Sequence, residues 1–220
     1  MLRAALFDLD GTLVLTNIDF AAMKRDVLAV AREHGVDLAH LAHRDSLFLV
    51  GEAKGRAGDA GAELEARAFA SVEVHERASL PRARVAVGAP ELLAWLRSRG
   101  VKVAIVTRNG GNVARELVER FGLVADVLLT RDEVAHVKPD PRHLHDALAR
   151  LSCEPAVAVM VGDHAMDIAA GRAAGVARAI GVAHDDAGIA PLAAAAPDAL
   201  VRSLVELRDV LSTLVTGPAL

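Results

Sequence analysis

The residues with chemistry in them fall in four short stretches. Asp8 and Asp10 flank Leu9 and run into Gly11-Thr12; Thr107 leads into Arg108-Asn109; Lys138 precedes Pro139; Asp163 and Asp167 flank His164-Ala165-Met166. On an extended chain the i, i+2 spacing puts the Asp8 and Asp10 side chains on one side. Gly11 lets the chain turn sharply, and Thr12 can hydrogen-bond within that turn. Two carboxylates a few ångströms apart repel by about 4 kcal/mol at an effective dielectric near 20, so the pair needs a cation, a proton or full solvation. If the four stretches meet, four carboxylates face a single lysine. A divalent metal would offset that excess, and oxygen-only ligands point to Mg2+ where no Cys/His spacing competes.

Each residue taken singly has a plainer use. Thr107 can cap the next turn, Lys138 can be an exposed loop lysine, and Asp163 with Asp167 can balance a helix macrodipole. What favours the joint reading is the elements around them. Ala4–Phe7 is an apolar run stopped by Asp8 and reads as a buried strand. Val101 and Val103–Val106 make a second, ending at Thr107; Val127–Leu129 a third; Val157–Val161 a fourth, ending at Gly162-Asp163. Arg178–Val182 and Ala199–Val201 are weaker strand candidates. Helices are expected between them over Ala89–Arg99, Asn112–Phe121, Pro141–Leu151, Asp167–Ala174 and Ser203–Leu214. Strands alternating with helices imply a doubly wound parallel α/β sheet, whose carboxyl edge collects polar groups from distant parts of the chain.

The stretch from Asp19 to Arg84 has no strong strand run. Phe20, Met23, Val27, Val30 and Ala31 recur at helical spacing, with Asp19 as N-cap and Gly35 as stop. A second helix is expected within Leu38–Val50, a loose Gly-rich segment over Gly51–Gly61, and a third helix over Ala62–Ala78. This predicts an α/β core of residues 1–15 and 86–220 with a helical insert of residues 16–85.

Composition narrows the setting. At 220 residues with 53% apolar side chains, the chain can build one large core with a smaller insert. A net charge of -4 gives no electrostatic case for nucleic acid or an anionic membrane. Cys153 is the only cysteine, which excludes an internal disulfide and suits a reducing, cytoplasmic compartment. Asp8 and Asp10 interrupt any N-terminal signal, and no apolar run reaches the roughly 18 residues of a membrane helix. Composition leaves monomer and homodimer both open.

Asp8-Leu9-Asp10-Gly11-Thr12, Val106-Thr107-Arg108-Asn109, Val137-Lys138-Pro139-Asp140-Pro141 and Val161-Gly162-Asp163-His164-Ala165-Met166-Asp167 resemble, in order and spacing, the four motifs of the haloacid dehalogenase-like hydrolases. The likeness continues from Ile168 to Gly175. The helical insert stands where that superfamily carries a helical cap of the C1 type, and the subgroup it most resembles is phosphoglycolate phosphatase-like. The resemblance implies a Rossmann-like core and a Mg2+-dependent phosphatase acting on a small phosphorylated metabolite. Asp8 would be the nucleophile that forms an aspartyl-phosphate, and Asp10 the general acid and then base. Thr107 would hold a phosphoryl oxygen with help from the turn through Arg108 and Asn109. Lys138 would neutralise charge on Asp8 and the phosphoryl group. Mg2+ would sit between Asp8, Asp163 and the Asp10 carbonyl, with Asp167 orienting the metal shell.

Two positions depart from the pattern. His164 replaces the small hydroxyl residue common after Asp163, and Leu15 stands where an acid often follows the first motif. Arg108 is a candidate for contact with substrate or lid, whereas Lys54-Gly55-Arg56 reads more simply as a solvated basic turn than as one that reaches a second anionic group. His143 and His145, two apart on a helix, face different sides and make a poor metal clamp. His184-Asp185-Asp186 reads as a solvated loop. Two rival functions share the motifs: a phosphomutase of the β-phosphoglucomutase type, which needs a cap histidine not identifiable among His34, His40 and His75, and a non-catalytic regulatory protein on the same fold.

Overall fold

The computed structural model describes residues 1–216. They form two compact units, one from Met1–Thr16 with the chain from Arg84 onward, the other from Asn17–Ala83. In chain order the elements begin with β1 (Ala4–Phe7), β2 (Val14–Leu15), α1 (Phe20–Glu33), α2 (Ser46–Arg56), α3 (Gly61–Ser79) and β3 (Arg84–Val85). There follow α4 (Ala89–Ser98), β4 (Lys102–Val106), α5 (Gly111–Arg120), β5 (Val127–Leu129) and α6 (Arg142–Leu151). The last are β6 (Ala158–Gly162), α7 (Ala165–Ala174), β7 (Arg178–Val182), α8 (Asp186–Ala194), β8 (Ala199–Val201) and α9 (Leu204–Thr216).

The first unit is built on a six-stranded sheet in the order β5-β4-β1-β6-β7-β8. All its pairings are parallel. β1 is central, and its four residues are fully buried, as a parallel strand covered on both faces requires. Phe7 lies level with Ile105 on one side and Val161 on the other. The chain runs outward from β1 through β4 to β5, then returns beside β1 at β6 and runs the other way. The reversal of strand order falls between β1 and β6, and in open α/β sheets the carboxyl ends of the strands at such a reversal are where ligands bind. One face of the sheet, formed by Ala4, Leu6, Ala104, Val106, Ala158 and Met160, packs against α6 and α7.

The antiparallel pair of β2 with β3, Val14 opposite Val85 and Leu15 opposite Arg84, has no counterpart in the sequence pattern. Two residues per strand leave no periodicity to detect. It clamps the outgoing and returning chain on either side of the insert, and Leu15, the departure from the first motif, is one of its rungs. α8 was also missed. Asp185, expected in a solvated loop, caps it by accepting from the Gly188 N–H at 3.0 Å. Gly188 and Pro191 hide the helix in the sequence, where they read as breakers.

The second unit is all-helical. Asp19 caps α1 by accepting from the Ala22 N–H, as its position predicts. Met23, Val27 and Ala31 of α1 pack with Leu49, Val50 and Ala53 of α2 and Leu64, Ala68 and Val72 of α3. The second helix starts inside the expected stretch, at Ser46 after the Asp45 cap, but does not stop by Val50: it continues through Gly51 and Gly55, expected to be loose, to Arg56. Burial of Leu49, Val50 and Ala53 against two helices outweighs the roughly 1 kcal/mol that each interior glycine costs. Lys54-Gly55-Arg56 is accordingly the last turn of a helix. Lys54 pairs with Glu65 at 2.7 Å and Arg56 with Glu52 at 3.0 Å.

Candidate active site

Three strands deliver the acids and the hydroxyl. Backbone pairing continues one residue past β1 and β4, with Asp8 N–H on Val161 O and Thr107 N–H on Leu129 O, both 2.9 Å. Asp8, Thr107 and Asp163 thus leave the sheet at one edge, each one residue beyond its strand. Lys138 comes from the loop between β5 and α6. Its ammonium is buried between Asp8 Oδ1 at 2.6 Å and Asp167 Oδ1 at 2.8 Å. Asp8, Asp163 and Asp167 each bring a carboxylate oxygen within 4.8 Å of the others. The structure therefore gathers Asp8, Asp163, Asp167 and Lys138 into one cluster.

Two glycines make the room. Gly11 has φ +80°, and a Cβ there would stand 2.1 Å from Asp163 Oδ2. A Cβ on Gly162 would stand 2.2 Å from the Asp167 carboxyl. The Thr12 hydroxyl, fully buried in the same loop, donates to Asp163 Oδ1 at 3.1 Å. His184 Nε2 lies 3.0 Å from the Thr12 carbonyl oxygen and ties this loop to the one after β7. His184 lies in a loop near the catalytic edge, as expected, but its half-buried ring is engaged with the first loop.

Asp10 is held from two directions. The Thr16 hydroxyl donates to its Oδ1 at 2.8 Å, and the Asn109 amide donates to its Oδ2. Asn109, expected against substrate, therefore has its side chain on Asp10. Its backbone N–H donates to Thr107 Oγ1 at 3.1 Å, which closes the turn after β4. Arg108 carries its guanidinium to Met166 Sδ in the first turn of α7. Both Asp167 oxygens already accept hydrogen bonds, one from Lys138 and the other from the His164 backbone N–H. His164 Nδ1 accepts from the Met166 N–H, so this residue caps α7. Asp132 does the same for α5 by accepting from the Gly111 N–H.

The model of the haloacid dehalogenase-like hydrolase family matches residues 2–175. The chain belongs to this family. A phosphoglycolate phosphatase of Rhodospirillum rubrum is 34% identical over 80% of this chain and 78% of its own length. An N-acetylmuramic acid 6-phosphate phosphatase of Pseudomonas putida is 31% identical over 98% of this chain and 99% of its own. Two further curated relatives are matched over 56% and 55% of their length, so the chain spans about half of each. A crystal structure of a HAD phosphatase from Thermococcus onnurineus superposes with a TM-score of 0.60 over all of both chains at 25% identity.

In this haloacid dehalogenase-like hydrolase the charges explain one another. Burial on its own pulls the Lys138 ammonium down, but the adjacent Asp167 and Asp8 carboxylates reverse this and raise it. Burial pushes Asp8 up to about 6 against the pull of Lys138, with the Asp167 charge adding to the rise. Burial and then the Asp8 and Asp167 charges push Asp163 up to about 8, opposed by the Thr12 hydroxyl. One ammonium is too little for three acids. Crowded hard oxygen donors that hold protons near neutral pH suit a Mg2+ ion, which would displace those protons. Since both Asp167 oxygens are engaged, Asp8 and Asp163 are the side chains best placed to hold the ion.

Proposed function

We propose that the chain is a phosphoric monoester hydrolase that removes the phosphate of a small phosphorylated metabolite, phosphoglycolate-like or a sugar phosphate. The observation that carries this is Lys138 bridging Asp8 and Asp167 beside Asp163 at the carboxyl edge of the sheet. Family membership and relatives named as phosphatases of phosphoglycolate and of N-acetylmuramic acid 6-phosphate support it.

In this reading Asp8 attacks phosphorus through a carboxylate oxygen, a P–O bond forms, and the bond to the leaving alkoxide breaks. Lys138 holds Asp8 ionised and aimed. Asp10, positioned by Thr16 and Asn109, gives the alkoxide its proton. It then takes a proton from the water that hydrolyses the aspartyl-phosphate. The Thr107 hydroxyl and the N–H groups of the turn after β4 receive the phosphoryl oxygens. Asp8, Asp163 and the Asp10 carbonyl would hold a Mg2+ ion, with Asp167 orienting its shell, and the ion would supply positive charge to the phosphoryl group. Arg108, one residue past Thr107, is the candidate for a substrate contact beyond the phosphate. The helical unit, inserted directly after the nucleophile loop, serves as the cap that excludes water and reads the leaving group. Such an enzyme fits a cytoplasmic setting, and among the described residues no helix is long and apolar enough to cross a membrane.

The test is Mg2+-dependent phosphate release from a panel of phosphorylated metabolites and from p-nitrophenyl phosphate, with Asp8→Asn as control. Activity that survives Asp8→Asn overturns the nucleophile. Turnover that requires a sugar bisphosphate and isomerises the substrate would make the chain a phosphomutase.

A further inference from the structure

His143 opens α6 on the helix face that also carries Ala147 and Leu151, and its side chain is completely buried. A histidine on an apolar helix face normally needs a polar partner for each ring nitrogen. Nδ1 has one: the backbone N–H of Lys138 donates to it at 3.2 Å. Nε2 is buried with no partner in hydrogen-bonding geometry. The donor on Nδ1 fixes the tautomer, because a nitrogen that accepts carries no proton, and the hydrogen must reside on Nε2. The surroundings enforce a neutral ring. Burial first, then the Lys138 and Arg108 charges, push His143 down to about 3, against an opposite pull from the Leu129 backbone.

We propose that His143 is a positioning residue for Lys138: its neutral ring accepts the buried Lys138 backbone N–H and so fixes the ammonium between Asp8 and Asp167. This rests on the phosphatase reading for its kinetic consequence but not for its structural one. Lys138 is 2% exposed and its N–H lies outside any helix or sheet ladder, so the ring is what satisfies that donor. The carboxylates hold one end of the residue at 2.6 and 2.8 Å, and the imidazole holds the other. A free backbone end would let the ammonium wander, and misplacement of about 1 Å at a reacting group costs on the order of a hundredfold in rate. The ring is suited to the task because it is an acceptor that cannot protonate near neutral pH.

The experiment compares His143→Leu, which removes the acceptor at similar volume, with His143→Asn, whose Oδ1 stands near the Nδ1 position. For His143→Leu, kcat is expected to fall at least about tenfold with KM within about threefold, and His143→Asn to recover most of the loss. Hydrogen exchange at the Lys138 amide supplies the readout independent of activity. Protection is expected in the wild type and in His143→Asn, and to be lost in His143→Leu. Full kcat together with a still-protected amide in His143→Leu overturns the proposal. If the wild type hydrolyses no phosphate ester but the exchange pattern holds, the positioning stands and the phosphatase reading falls. Should His143→Leu fail to fold, nitrogen NMR of the wild type decides: an Nδ1 that carries the proton overturns the assignment, and an unprotonated Nδ1 coupled to the Lys138 amide supports it.

Discussion

A Cβ on Gly11 would stand 2.1 Å from Asp163 Oδ2, so the glycine of the first acidic loop and the aspartate after β6 compete for one volume. Gly11 also has φ +80°, where an L side chain is strained. Gly11→Ala must therefore push Asp163 away from Asp8 and strain the turn at once. The expected outcome is a loss of kcat/KM of about a hundredfold or more with a destabilisation of about 1–3 kcal/mol. Steady-state kinetics beside urea unfolding checks both numbers. Near-normal activity would mean that Asp163 need not stand against this loop.

The raised acids predict how the stability of the protein should respond to Mg2+. Asp8 at about 6 and Asp163 at about 8 both lie above their ordinary value of 3.8. Folded-state pKa values above the unfolded ones mean that these groups favour the fold at low pH. Their contribution is lost as pH rises through about 6 and then about 8. Mg2+ needs them ionised, so its stabilising effect should grow over the same window. The rise in Tm on adding millimolar Mg2+ is expected to be several degrees larger at about pH 8.5 than at about pH 5.5. A rise independent of pH would place the ion elsewhere.

His143 acts with the opposite sign. Its folded pKa of about 3 lies below the ordinary 6.5, so its contribution is complete above pH 6.5 and fades as pH falls towards 3. In the metal-free protein, His143→Asn should flatten the loss of stability between those limits. Urea midpoints across that range measure it.

Lys138→Met leaves two buried carboxylates facing each other. Breaking a buried pair by removing one partner typically costs about 3–5 kcal/mol. Without Mg2+ the variant should lose stability of that order, and added Mg2+ should recover part of it. Activity should fall by at least about a thousandfold, because ionised Asp8 loses its counter-charge. A variant as stable as the wild type would mean that Asp8 and Asp167 give up their charge at little cost.

Lys54→Ala is expected to change little. Lys54 is half-exposed on α2 and paired with Glu65, and exposed pairs contribute about 0.2–1 kcal/mol. A KM unchanged within about twofold for substrates with and without a second anionic group is expected from its place on a helix. A large rise in KM confined to the doubly anionic substrates would give this residue a recognition role after all.

Most of the strands and the shared edge were legible because both signals are local. Ala4–Phe7, Val103–Val106, Val127–Leu129 and Val157–Val161 are apolar runs, and Asp8, Thr107 and Asp163 follow such a run within two residues while Lys138 lies in the loop after one. The glycines of α2 misled for an equally local reason. Propensity is a property of the residue, whereas α2 is held by partners on α1 and α3 far along the chain. His143 shows the middle case. Its spacing from Ala147 and Leu151 marks the buried face, but nothing in the pattern names a backbone N–H as its partner.

By itself the sequence determined which groups are available: the acids, the hydroxyl and the lysine, their order, and the alternation of strands and helices that brings them to one edge. Only the tertiary structure decided how they are shared. Lys138 is divided between Asp8 and Asp167, Asn109 turns to Asp10, Thr12 and Gly11 shape the space for Asp163, and His143 holds the Lys138 backbone. The reason is physical. Strand and helix propensities act over a few residues, whereas burying a charge or an N–H obliges it to find a partner in space, and the packed sheet edge supplies that partner.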